Sequence, residues 1–106
     1  MATREQQETY KATLATTDEQ ECFKVYSATG ARRGATAFIR TTGAGSLKFY
    51  YGFHDGVYSL LQTDAIAASA TDCTAVDFDL ITPDIKVTWT STADSSAVVV
   101  VDMYTY

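Results

Sequence analysis

Ile85-Lys86-Val87-Thr88-Trp89-Thr90-Ser91 and Ala97-Val98-Val99-Val100-Val101-Asp102-Met103-Tyr104 decide the fold of this 106-residue chain. In the first stretch Ile85, Val87 and Trp89 alternate with Lys86, Thr88 and Thr90, the period of two that places one set of side chains on each face of a strand. The second stretch is apolar on both faces. A two-sided apolar strand left on an open edge invites aggregation, so it lies in the middle of a sheet or is covered by another subunit. Thr92-Ala93-Asp94-Ser95-Ser96 separates the stretches with residues suited to a turn, and the pair reads as a hairpin at the heart of an all-β sandwich.

Working outward, the same period recurs along the chain. Tyr10, Ala12 and Leu14 alternate with Thr9, Lys11 and Thr13. Upstream, Thr3 followed by Gln6 matches a capping box, so a short helix over 4–12 competes with the strand, which the alternation favours. Residues 21–28 form a strand with Phe23 and Val25 on one face, and residues 36–42 another with Ala37 and Ile39 opposed to Phe38 and Arg40. Residues 46–53 alternate most cleanly, and Asp55-Gly56 then supplies the residue types that a type I′ hairpin turn needs. Residues 57–62 return as the partner strand. Residues 63–74 are small and Ala-rich, reading as a crossover loop with room for one helical turn. Residues 75–81 resume the alternation, with Val76, Phe78 and Leu80 inward and Asp77 and Asp79 outward, until Pro83 ends the ladder.

About eight strands at even spacing without intervening helices predict an antiparallel β-sandwich, jelly-roll-like, over residues 9–106, preceded by a polar arm over 1–8. Five Phe, seven Tyr, one Trp and seventeen Thr fit pleated, half-exposed surfaces. A chain of this length removes roughly 60–68% of its unfolded surface from water, enough for one core.

Composition narrows the function classes. A net charge of −5 argues against nucleic acid as a direct partner. No run approaches the ~18 apolar residues of a membrane-spanning helix, and the polar start lacks the apolar core of a signal peptide, which predicts synthesis in the cytoplasm and no membrane partner. Cys22 and Cys73 are then expected as free thiols.

No catalytic or cofactor motif stands out, so the expectation is a non-enzyme with no cofactor. His54 is the single histidine, and its place at a hairpin tip accounts for it. Cys22, Cys73 and His54 lack the close spacing of metal ligands. Asp77 and Asp79 project from one strand face about 6.6 Å apart. They fit a solvated face, with one of them able to meet Lys86 across strands; calcium binding or acid–base work is the alternative. Trp89 belongs to the core. Arg32 and Arg33, in a glycine-flanked loop, are candidates for contact with another protein. Tyr50, Tyr58, Tyr104 and Tyr106 lie among polar neighbours, where tyrosine offers stiff contact area with a polar tip. With Val98 and Val100 these form the candidate interface.

The Thr/Ser/Ala-rich strand run from Asp84 to Tyr106, the short polar N-terminal arm and the lack of an enzyme signature resemble the small virion proteins of tailed bacteriophages: head decoration, cement or head–tail completion subunits. The resemblance implies self-association into trimers or rings, or binding to a capsid shell, with the arm reaching a neighbour. It also implies synthesis in a host cytoplasm and assembly into a virion. It transfers no site residue. A carbohydrate- or ligand-binding β-sandwich, using surface tyrosines and Asp77/Asp79 with calcium, is the alternative.

Overall fold

In the computed structural model, which describes residues 6–26, 34–52, 56–79, 84–93 and 95–105, the alternating stretches become eight strands. They are β1 (Gln6–Leu14), β2 (Gln20–Tyr26), β3 (Gly34–Thr41), β4 (Gly45–Gly52), β5 (Tyr58–Ile66), β6 (Thr74–Asp79), β7 (Asp84–Ser91) and β8 (Ala97–Thr105). Two antiparallel four-stranded sheets result, in the orders β1-β8-β3-β6 and β2-β7-β4-β5. This is jelly-roll order: the chain passes between sheets at every connection except that from β4 to β5, which contains Gly56 at a positive φ of 82°. Phe53, His54 and Asp55 lie outside the described residues.

The expected terminal hairpin is corrected. β7 lies between β2 and β4, whereas β8 lies between β1 and β3 in the opposite sheet. Their linker is therefore a corner that climbs from one sheet to the other, about 10 Å away. It is pinned beside the shorter connection from β3 to β4. Thr92 donates its amide and its hydroxyl to the Ala44 carbonyl (3.0 and 2.6 Å), while the Thr42 amide donates to the Val98 carbonyl (3.1 Å). Val98 in turn donates its amide to the Thr42 hydroxyl (2.9 Å).

Element boundaries also move. β1 begins at Gln6, paired with Thr105, so residues 6–8 of the expected arm are on the ladder and the helical option over 4–12 gives way to a strand. β5 continues to Ile66 rather than ending at residue 62; its last residues pair with β4 from Lys48 back to Gly45. Thr63, Asp64 and Ala65 have no large apolar side chain to mark them as strand, because an edge strand needs to bury little. Residues 67–73 contain no helical turn. The Ser69 amide donates to the Thr41 carbonyl (2.8 Å), and the Ser69 hydroxyl accepts the amides of Thr71 and Asp72 (3.4 and 3.0 Å).

The inner faces meet in one core. Ile85, Val87 and Trp89 from β7 face Val99, Val101 and Met103 from β8, with Phe49 and Phe78 in contact between the sheets at 4.1 Å between ring centres. Trp89 is fully buried, and its indole N–H donates to the Ser91 hydroxyl (2.9 Å), so the one polar atom of its ring is satisfied inside. Gly45 makes room for it. A Cβ there would lie 2.4 Å from both the Thr90 carbonyl oxygen and the Trp89 ring.

Candidate interaction surfaces

Once the inner faces are packed, each sheet shows one outer face, and the two differ. On the β1-β8-β3-β6 sheet, cross-strand register sets the outward residues in rows. Thr13 stands beside Val98; Val100 stands between Lys11 and Arg40; Asp102 stands between Thr9 and Phe38; and Tyr104 stands beside Thr36. The valine run therefore resolves by face. Val99 and Val101 are fully buried, while Val98 remains 38% exposed and Val100 half-buried on the outside of a central strand. Phe38 is also 38% exposed and meets Tyr104 edge to face at 5.7 Å. Phe38, Arg40, Cys73, Val100 and Asp102 line a shallow depression of about 170 Å³ on this face.

The outer face of the β2-β7-β4-β5 sheet is tied together. Lys24 on β2 pairs directly with Lys86 on β7, a like-charge placement that needs compensation. Aromatic rings and carboxylates supply it. The Lys86 ammonium sits 4.8 Å from the Tyr50 ring centre and 4.7 Å from that of Tyr58, and Lys24 lies 5.8 Å from Tyr58. Lys24 also pairs with Glu21 at 3.8 Å. The Tyr58 hydroxyl donates to Asp84 (2.7 Å), and that bond, ahead of burial, pushes its pKa up to about 12. The hydroxyls of Thr88 and Tyr50 both donate to one oxygen of Glu19. These bonds hold the Glu19 carboxyl below its ordinary value, Thr88 contributing most, while burial and then Glu19 raise Tyr50.

Of the candidate interface residues, Val98, Val100 and Tyr104 come together on one strand face. Tyr50 and Tyr58 lie on the opposite side of the molecule, engaged with Lys86 (one ring face each) rather than presented as open stacking platforms. Arg32, Arg33 and Tyr106 lie outside the described residues. Phe38, Lys11 and Arg40 were not singled out from sequence, although the alternation of Phe38 and Arg40 with Ala37 and Ile39 already aimed them outward.

The expected meeting of Asp77 or Asp79 with Lys86 is corrected, because β6 and β7 are in different sheets; Asp77 instead accepts the Thr36 hydroxyl (2.6 Å). Both cysteines are free. Cys73 is exposed, whereas Cys22 sits at a β-bulge beside Phe23, where burial, then Glu21, pushes its pKa up to about 12. Among the described residues no group of three or more His, Cys, Asp or Glu is placed to hold a metal ion. No helix there is long and apolar enough to cross a membrane.

No protein-family model and no curated protein matches the chain. Among solved structures, the chain is similar to a protein of the Bacillus endospore appendages, which form a novel family of disulfide-linked pili. The TM-score is 0.64 at 15% identity, covering 97% of this chain and 86% of that one. It is also similar to the SPBc2 prophage-derived protein YomS, with a TM-score of 0.55 at 16% identity, covering 100% of this chain and 98% of that one. At such identities the likeness shows a shared fold: the eight-stranded sandwich described above.

Proposed function

We propose that this chain is a non-enzymatic structural subunit that acts through protein–protein contacts in a larger assembly, with a tailed-phage virion (decoration, cement or connector subunit) as the assembly it fits best. The observation that carries this reading is the outward apolar strip of Phe38, Val98, Val100 and Tyr104 on the middle strands of a sheet. Central strands need an apolar inner face, and β8 has one; nothing in the core requires outward valines as well. Such a strip serves contact with another protein surface. One neighbour in fold belongs to pili and another is prophage-derived, which favours a building-block role over an enzymatic one.

Absolute mass by light scattering over a range of concentrations tests the reading, together with electron microscopy of the concentrated sample. A defined oligomer, ring or fibre supports it. A monomer at every concentration that also fails to co-sediment with undecorated phage capsids counts against it. The glycan-binding alternative would use Tyr50 and Tyr58, whose rings carry Lys86.

A further inference from the structure

We propose that the outer face of the β1-β8-β3-β6 sheet binds a second copy of this chain across a two-fold axis. The two β8 strands run antiparallel, so that Lys11 and Arg40 of each copy meet Asp102 of the other. The proposal rests on the assembly role above and names the partner and the surface.

Charge complementarity is the first argument. Successive outward rows on this face alternate in character: Lys11–Val100–Arg40 is positive at both sides, and the next row, Thr9–Asp102–Phe38, is negative at its centre. A two-fold axis lying in the plane of the face, across the strands and between these rows, brings each row over the other. Val100 of one copy then covers Asp102 of its mate, with Lys11 and Arg40 to either side of that carboxylate. Neither cation forms an ion pair with a described residue, the one such pair being Lys24–Glu21 on the other sheet. Asp102 accepts one hydrogen bond, from the Thr9 hydroxyl at 2.6 Å, and a carboxylate has capacity for more. An isologous contact needs this self-complementarity, because a two-fold axis sets the same patch against itself.

Area is the second argument. Four strands about 4.8 Å apart, each offering about eight residues at about 3.3 Å, present about 500 Å² per copy, or about 1,000 Å² in total. That reaches the lower limit for a specific interface, so the contact is reversible and concentration-dependent. Val100 beside the axis and Val98 over the mate's Tyr104 add apolar contact to these charges, with Thr13 and Thr36 towards the ends of the face.

Charge reversal tests the proposal. Wild type, Arg40→Glu, Asp102→Lys and an equimolar mixture of the two variants are compared by sedimentation velocity. Dichroism and thermal melting verify that each variant is folded. Each variant alone sets like charges together and is expected to dimerise at least ~10-fold more weakly than wild type. The mixture regains dimer. On one side of the axis the introduced glutamate of the first variant meets the introduced lysine of the second, while the native Arg40–Asp102 pair survives on the other side. Val98→Lys, which touches no charge pair, weakens dimerisation as well, and Leu60→Lys on the opposite sheet leaves it unchanged. If wild type and both variants associate equally, the contact lies elsewhere and the assembly role stands. If the variants weaken association but the mixture fails to restore it, the two-fold pairing is wrong. If wild type is monomeric throughout, the two-fold contact is wrong, and the assembly role falls with it only if that monomer also fails to co-sediment with undecorated phage capsids.

Discussion

The two outer faces of this sandwich are built to opposite ends. On the β2-β7-β4-β5 sheet several outward polar groups turn to a neighbour: Lys86 to Tyr50 and Tyr58, Tyr58 to Asp84, and Tyr50 and Thr88 to Glu19. On the β1-β8-β3-β6 sheet Phe38, Val98, Val100 and Tyr104 stand outward on the two central strands around Asp102, and Lys11 and Arg40 make no ion pair with a described residue. The lesson is that exposed tyrosines alone do not mark a contact surface. A tyrosine whose hydroxyl and ring face are both engaged contributes to the sheet it stands on, whereas an outward valine on a central strand has no partner within its own fold.

This contrast can be broken in several ways. The largest effect belongs to the wall behind the tied face. Gly45→Ala drives a methyl group into the Trp89 ring and the Thr90 carbonyl, and is expected to lower unfolding free energy by about 3 kcal/mol or more in denaturant titration. A wild-type midpoint would show that β4 and β7 are not held this closely.

Next comes Glu19. Glu19→Gln is expected to cost about 1 kcal/mol at neutral pH, since solvent screens part of any bond to an exposed carboxylate. Because folding lowers the Glu19 pKa, its stabilisation is present above the ordinary value of 4.5 and is lost as the pH falls below it. The variant is therefore expected to lose part of the acid slope of stability, and an unchanged slope would remove Glu19 from the network.

Tyr58→Phe is expected to cost about 0.5–1 kcal/mol. Here the sign reverses. A pKa raised by folding from 10.0 to about 12 gives stability that is complete below pH 10 and lost as the pH rises toward 12. Burial of Cys22 acts in the same direction, so the informative quantity is the difference between variant and wild type. By contrast, Val98→Lys on the other face is expected to change monomer stability by no more than about 0.5 kcal/mol. A larger loss would show that the apolar strip supports the fold itself.

The smallest effect is chemical. A thiol reagent at pH 8 is expected to label the exposed Cys73 in the native protein and to reach Cys22 only on unfolding. Labelling of both at once would mean that β2 opens readily along its bulge.

Much of this architecture was legible in the chain itself. The period of two in residues 46–53, 85–91 and 97–104 states which side chains go inward, because successive residues of a strand must face opposite ways. Trp89 in the core and Asp77 on the outside follow from that rule, and the adjacency of β4 and β5 was signalled by the Asp-Gly pair between them. The far end of β5 was hidden because an edge strand can bury as little as Ile66 and still keep its ladder. Periodicity is silent about neighbours. It could not show that β7 and β8 belong to different sheets, nor that Lys86 would stand between two tyrosines from β4 and β5. Nor could it show that Arg40, sixty residues before Val100, would stand beside it.

Local residue chemistry by itself thus determined an all-β, two-faced chain with a surplus of apolar side chains in its last strand. Only the tertiary arrangement decided which surface keeps that surplus in contact with water. Facing direction is settled within a strand by covalent geometry, whereas the company a side chain keeps is settled by strand order and register, which depend on residues far away in the sequence.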